Sequence, residues 1–201
     1  VIVEFADHLA IVEAPLTEER SLAVIAAAKG LVPGKPIKYL LTSHHHFDHT
    51  GGIRTYVAEG ATVVTHQTNV EYFKAAASAA ATLNPDALAR RPVPATFLGV
   101  AEKETLTDGK QTVEIYATAG DSHTREFTLV FIKGPGILIE ADAYSPGAPG
   151  APAPSPAPAN AVTLDDDIQR LKLPVKVIAP IHGRGPVPYA EFRTFIGRPS
   201  R

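Results

Sequence analysis

The sequence predicts an α+β fold, and two observations carry the prediction. Up to about Arg91, strand patterns alternate with helical ones in a βαβ-like rhythm; after Pro94, strand follows strand across short turns. With 201 residues, 45% apolar and 20% charged, the chain has the size and composition of one globular domain with a sizeable core. A single domain over residues 1–201 is therefore expected.

The elements follow in order. "VIVEFADHLAIVEAP" holds two apolar runs, Val1 to Phe5 and Leu9 to Glu13, around the polar turn Ala6, Asp7, His8, so a hairpin opens the fold. Thr17 is placed to cap a helix with Glu18 and Glu19 in its first turn, where the helix dipole favours carboxylates. Leu22, Ile25 and Ala26 recur at helical spacing, and Gly30 after Lys29 reads as the stop. "IKYLLTS" at 37–43 is a strand, followed by a brief helix from Gly52 to Ala58 and the strand "ATVVTH" at 61–66. The alanine-rich run from Thr68 predicts a helix, and "NPDALARR" from Asn84 a short one with Pro85 near its first position.

Strands then fall around Lys103 to Leu106 and at 111–118, 126–132 and 136–142. Asp108-Gly109 and Gly134-Pro135-Gly136 supply turns, which describes an antiparallel meander. Residues 145–159, "SPGAPGAPAPSPAPA", carry six prolines in fifteen positions and predict an extended loop. A helix from Thr163 to Leu171, a strand at 175–180 and a helix from Tyr189 to Phe195 close the chain.

Composition limits the partners. The formal charge is only -2 and the basic residues are scattered, so there is no stripe that would neutralise a nucleic-acid backbone or an anionic membrane surface. A small-molecule substrate is expected, with no nucleic acid and no membrane partner. The chain has no cysteine, which excludes disulfides and thiolate ligands and leaves imidazole and carboxylate to hold any transition metal. No apolar run approaches the roughly 20 residues that span a bilayer. The chain begins without methionine inside an apparent strand, as removal of an upstream segment such as a signal peptide would leave it. A soluble protein is expected, cytoplasmic or periplasmic and secreted.

The chemistry concentrates in "SHHHFDHTGG", residues 43–52. His44 and His46 are two apart, a spacing that turns both side chains of an extended segment to one side, with His45 facing away. Asp48 and His49 follow Phe47, so one loop offers ligands in two directions, as two neighbouring metal ions require. Chance would produce H-x-H-x-D-H in about one chain in two thousand of this composition. A purification tag would sit at a terminus, whereas this run follows a strand and precedes Gly51-Gly52, which free the backbone to turn. Three more donors lie at later strand ends: His123 in "TAGDSHT", Asp142 closing "GILIEAD", and His182 in "IHGRG".

These seven residues, in this order, resemble the signature of the metallo-β-lactamase superfamily, and the resemblance covers nearly the whole chain. It implies a four-layer αββα sandwich of two mixed β-sheets with helices on the outer faces and metals at one edge. It also implies two zinc ions, with iron or manganese as alternatives. His44, His46 and His123 would bind the first, Asp48, His49 and His182 the second, and Asp142 would bridge a pair about 3.5 Å apart. A hydroxide between the metals would attack the substrate, with Asp48 both a ligand and the group that orients the hydroxide.

The members that use a thiolate on the second zinc differ from this chain, which has His49 and no cysteine. A bridging Asp142 is closer to lactonases, glyoxalase II-like thioesterases and nucleases than to true β-lactamases. The expected reaction is hydrolysis of a small acyl substrate, lactone or ester first and β-lactam next. A mononuclear iron oxygenase of the same fold acting on a thiol or persulfide, and an inactive zinc-binding scaffold, are the other readings. The family usually opens with further strands, so the N-terminal edge strands of the first sheet are expected to be lacking. Its acidic turn after the second strand reads Glu13-Ala14-Pro15 here, and Ser122 stands where many members have glycine before the third histidine.

Tyr144, two residues past Asp142, is a candidate donor to the reacting oxygen, against the plainer role of a packed aromatic. Arg184, two past His182, is a candidate contact for an anionic substrate. The loop at 145–159 is either a lid or a solvated linker. Asp165, Asp166 and Asp167 read as a solvated helix face, and His8, His45 and His66 as non-ligands, with His66 a candidate to support a ligand from behind.

Overall fold

A computed structural model of the chain describes residues 1–120 and 123–198, so Ser122 lies outside the described residues. The chain packs as two units, residues 1–102 with 107–111, and 103–106 with the residues from 112 on.

The first unit is built on a five-stranded sheet of β1 (Ile2–Glu4), β2 (Leu9–Val12), β3 (Ile37–Leu41), β4 (Thr62–His66) and β5 (Thr96–Val100), in that spatial order. The expected hairpin forms: β1 pairs antiparallel with β2, Val3 opposite Ala10. From β2 to β5 every pairing is parallel, and each parallel step needs a crossover. The crossovers are α1 (Glu18–Leu31), then α2 (Phe47–Thr50) with α3 (Ile53–Ala58), then α4 (Val70–Ser78) with α5 (Ala87–Arg90). Leu9, Ile11, Leu40, Val63, Tyr56 and Phe73 form its core.

Three local expectations are corrected by packing. Thr17 Oγ1 accepts from Arg20 N at 3.3 Å, as a cap should. The buried stripe of α1, however, is Ser21, Ile25 and Ala28, and Leu22 is 42% exposed. The helix also runs through Gly30 to Leu31. The alanine run stops early, at Ser78, because the Arg54 guanidinium takes the carbonyls of Ala76, Ala77 and Ala79 at 2.7–2.9 Å and binds the Asp86 carboxylate. Those are the carbonyls that a helix end leaves without partners. Strand β5 was not expected from "ATFLGV", whose Gly99 interrupts the pattern; a Cβ there would stand 2.1 Å from Gln67 Oε1, so close approach, not flexibility, demands the glycine.

The second unit holds a six-stranded mixed sheet in the order β11-β10-β9-β8-β7-β6. Its strands are β6 (Lys103–Thr107), β7 (Thr112–Thr118), β8 (Phe127–Ile132), β9 (Ile137–Glu140), β10 (Val177–Pro180) and β11 (Val187–Pro188). The meander is real, with β7, β8 and β9 antiparallel in sequence. Strand β10 then lies parallel to β9, reached through α6 (Ala159–Arg170), and β11 returns antiparallel before α7 (Tyr189–Phe195). Helix α6 starts four residues earlier than its pattern suggested, directly after Pro158, because proline is tolerated ahead of a first helical turn. Phe127, Leu129, Phe131, Leu138, Ile178 and Phe192 fill the core.

The acidic run of α6 does not all face solvent. Asp165 is 1% exposed and accepts from the Tyr189 hydroxyl at 2.5 Å and from Arg198 Nη1 at 3.0 Å. Burial, with this hydrogen bond next, raises the Tyr189 phenol above its ordinary value. Asp167 pairs with Arg170 at 2.6 Å, and only Asp166 of the three has a mostly exposed side chain. Among the described residues no helix is long and apolar enough to cross a membrane.

Two outcomes follow from this packing. A Cβ on Gly52 would lie 1.9 Å from Ser21 Oγ and 2.9 Å from Thr17 O, so Gly52→Ala forces α1 away from the start of α3. Urea denaturation should show a loss of about 1–3 kcal/mol. Asp86 is held below its ordinary value of 3.8 chiefly by its bonds to Arg54. A depressed carboxyl stabilises the fold above its unfolded value and loses that contribution as pH falls through the folded one. Asp86→Asn should therefore cost about 1–3 kcal/mol near neutrality. The gap from the unaltered chain should stay constant above pH 3.8 and close below it in urea melts.

Candidate metal centre

In the first unit the donors hang from the end of β3. Thr42 N still bonds Val64 O at 3.0 Å; the backbone then leaves the sheet, and Ser43 N turns to Glu13 Oε1 at 2.8 Å. Ser43 Oγ lies 2.9 Å from His44 Nδ1, a contact that orients the ring. His46 keeps an extended backbone (φ -62, ψ 148) at the N-cap of α2. Asp48 and His49 lie within the helical turn, and Thr50 Oγ1 closes it on His46 O at 2.9 Å.

The bend brings the rings together. The His44 centroid is 4.5 Å from that of His46 and 4.5 Å from that of His49. His49 Nε2 stands 3.3 Å from Asp48 Oδ2, and its Nδ1 stands 3.3 Å from Glu13 Oε2. His44 and His49 are fully buried, whereas the Asp48 side chain is half exposed. Buried imidazoles with an open carboxylate beside them suit a metal that must be held firmly yet reached by substrate.

The two glycines after the cluster work by their size. Gly51 (φ -58) and Gly52 (φ -97) both have ordinary negative φ, so freedom to turn is not what they supply. A Cβ on Gly51 would fall 2.1 Å from Leu16 O and 2.7 Å from the Phe47 ring. The loop is seated this deeply because Ala14 N donates to His49 O at 2.8 Å and Gly52 N donates to Ala14 O at 2.9 Å.

In the second unit, Asp142 follows β9 in a left-handed conformation (φ 64), uncommon for a residue with a side chain. Glu140, 1% exposed, fixes that turn: one of its oxygens accepts from Ala143 N at 3.1 Å and Tyr144 N at 3.2 Å. Ile181 N bonds Glu140 O at 2.9 Å, so the ends of β9 and β10 stay in register and His182 arrives beside Asp142. Gly120 has a left-handed φ of 74, and a Cβ there would meet Thr124 O at 2.2 Å. Asp142 Oδ1 is 3.2 Å from His182 Nε2, and Oδ2 is 3.3 Å from His123 Nε2. Each carboxylate oxygen thus faces a different imidazole.

All seven donors expected from the sequence belong to His and Asp groups that could hold a metal ion. Glu13, Ser43 and Glu140, which orient them, were not singled out as supports, because nothing local marks an acid or a serine as buried. The other histidines have different surroundings. His8 stacks on Phe5 at 4.5 Å, the His45 ring lies 5.7 Å from that of Tyr72, and His66 Nδ1 is 2.7 Å from Thr68 Oγ1.

Tyr144 is 3% exposed, its ring 4.9 Å from those of Phe192 and Phe195, and burial raises its phenol. Arg184 donates through Nε to Gly147 O at 2.8 Å and binds the Glu191 carboxylate. Tyr144, Arg184, Glu191 and Phe195, with the loop expected at 145–159, wall a cavity of about 700 Å³.

Comparison with the curated proteins finds no match. Solved structures do match. A metallo-beta-lactamase from Pontibacter korlensis is 21% identical with a TM-score of 0.69, over 98% of this chain and 84% of that one. The metallo beta lactamase from Hirschia baltica is 17% identical with a TM-score of 0.66, over 100% and 85%. FIM-1 from Pseudomonas aeruginosa, in its mono-zinc form, is 20% identical with a TM-score of 0.62, over 98% and 80%. At these identities the likeness shows a shared fold, of the α+β class that the sequence led us to expect. The family model described as "Metallo-beta-lactamase superfamily" matches residues 1–182. With that match over nine-tenths of its length, the chain belongs to the metallo-β-lactamase superfamily.

Proposed function

We propose that this protein is a binuclear zinc hydrolase of a small acyl substrate, a lactone or ester before a β-lactam. The observation that carries the reading is Asp142, whose two oxygens lie 3.2 and 3.3 Å from two different imidazoles, as a carboxylate shared between two cations requires. His44, His46 and His123 would hold one zinc, and Asp48, His49 and His182 the other, with Asp142 common to both. The donor chemistry fits: five neutral imidazoles and two carboxylates, with no thiolate, suit zinc and also admit iron or manganese.

Two such cations supply a water of lowered pKa and polarise a carbonyl. The protein residues do the rest. Asp48, the most exposed of the donors in its loop, is placed to accept a proton from the attacking water and to orient it. Ser43 Oγ engages Nδ1 of His44, which helps hold the ring in one orientation. The cavity of about 700 Å³ begins at Tyr144 and Arg184, each two residues past a candidate donor, and has the size of a small-molecule site. Its lining holds one ion pair, Arg184 with Glu191, and is otherwise largely alanine and proline; none of the seven candidate donors is part of it.

Elemental analysis of protein purified without added metal should find near two zinc per chain. Near one iron would replace this reading with the oxygenase, and no metal would overturn both. Turnover of acyl-homoserine lactones, p-nitrophenyl esters and nitrocefin should fall in that order, and a chain inert to all three but active on bis-p-nitrophenyl phosphate would sink the acyl assignment. Asp142→Asn should lower both zinc content and turnover, the latter by more than about tenfold. Full occupancy with unchanged turnover would remove Asp142 from the bridging role.

A further inference from the structure

We propose that the cavity walled by the strap at 145–158 binds a straight aliphatic chain, the tail of the acyl substrate; that the chain belongs to a substrate rests on the hydrolase reading above. Two segments run from the donors into this space. Tyr144 follows Asp142 by two residues and Arg184 follows His182 by two, and both line the cavity of about 700 Å³. Asp142 Oδ1 and His182 Nε2 are 3.2 Å apart, so a carbonyl held at this pair has the cavity within reach of its remainder. Sites of roughly 300–1,000 Å³ enclose most of a small organic ligand. Because none of the seven candidate donors lines the cavity, it suits the part of a substrate that does not react.

The strap is pinned at its ends and open between them. Pro146 is buried, and a Cβ on Gly183 would lie 2.8 Å from Pro146 Cδ. Arg184 clasps the same end: its N donates to Pro146 O at 3.4 Å and its Nε to Gly147 O at 2.8 Å, while Nη2 binds the Glu191 carboxylate of α7. At the far end Ala157 packs on the core, and Asn160 Nδ2 donates to Asp142 O at 3.5 Å. Between these anchors, residues 147–156 are exposed and consist of glycine, alanine, proline and Ser155. None of these side chains is long enough to fill the space, and the fixed φ of proline resists the collapse that would close it. The lining also includes Tyr144 and Phe195, whose rings pack 4.9 Å apart, and Thr194 of α7. Since Arg184 and Glu191 are engaged with each other, an occupant meets mainly methyl, methylene and ring carbon, against which burial of an alkyl chain is favourable.

The test uses the whole chain loaded with zinc and two variants that fill the cavity from different walls, Thr194→Trp on α7 and Ala151→Trp on the strap. Binding is read by displacement of the fluorescent dye Nile red, and turnover with p-nitrophenyl acetate, butyrate, hexanoate and octanoate. Methyl octanoate should displace the dye where methyl acetate at the same concentration does not, and kcat/KM should rise about tenfold for every two carbons added to the acyl group. Each tryptophan should weaken methyl octanoate binding and lower the octanoate-to-acetate ratio of kcat/KM by about tenfold or more, with urea denaturation confirming that the variants fold. Esters hydrolysed with no dependence on chain length, or a ratio that neither tryptophan changes, would overturn the tail site and leave the hydrolase reading standing. Methyl octanoate binding that both tryptophans abolish, in a chain that hydrolyses none of the esters, would support the aliphatic site and overturn its role in ester hydrolysis.

Discussion

A pair of backbone hydrogen bonds fixes the histidine loop in place. Ala14 N to His49 O and Gly52 N to Ala14 O, at 2.8 and 2.9 Å, sew the loop after β3 onto the turn after β2. Parallel strands end side by side, so their following loops emerge at one edge of the sheet, where ligands collect in such folds. Here the stitch converts that edge into a defined surface. It is possible only because Gly51 and Gly52 have no Cβ to hold the loop off Leu16 and Ser21.

The second unit reaches the same end by different means. Strands β9 and β10 are also parallel neighbours, and Asp142 and His182 follow their carboxyl ends. In place of a glycine pair, a buried acid organises the turn: Glu140 takes the amides of Ala143 and Tyr144 and holds Asp142 at positive φ. Glu13 plays a comparable part in the first unit. A carboxylate that accepts backbone N–H bonds fixes the turn those amides belong to. Each unit therefore carries a strained, acid-supported residue beside its donors, as is common where geometry serves chemistry.

Away from the donors, buried polar groups follow the same accounting. Arg54 ends α4 by taking its last carbonyls, and Asp86 balances its charge. Asp165 is covered by Tyr189, Arg193 and Arg198, which ties α7 and the chain after it to α6. These partners are distant in sequence, and that is why the alanine run from Thr68 read as too long a helix and the triple aspartate as a solvated face.

Much of this protein was determined by its sequence alone. The order of most strands and helices, the hairpin, the meander and the seven candidate donors from His44 to His182 can be picked out because they rest on local periodicity, turn chemistry and the spacing of a motif. What tertiary structure alone decided are quantities set by approach between distant segments. These are the burial of Ser21 where Leu22 seemed the core residue, the addition of β5 and β11 to their sheets, and the true work of Gly51 and Gly52. Above all, a glutamate at the end of β2 reads in sequence as a departure from a familiar acidic turn. Only in three dimensions does it meet Ser43 and His49, thirty and thirty-six positions away, because hydrogen bonds and sterics act through space and leave no periodic trace along the chain.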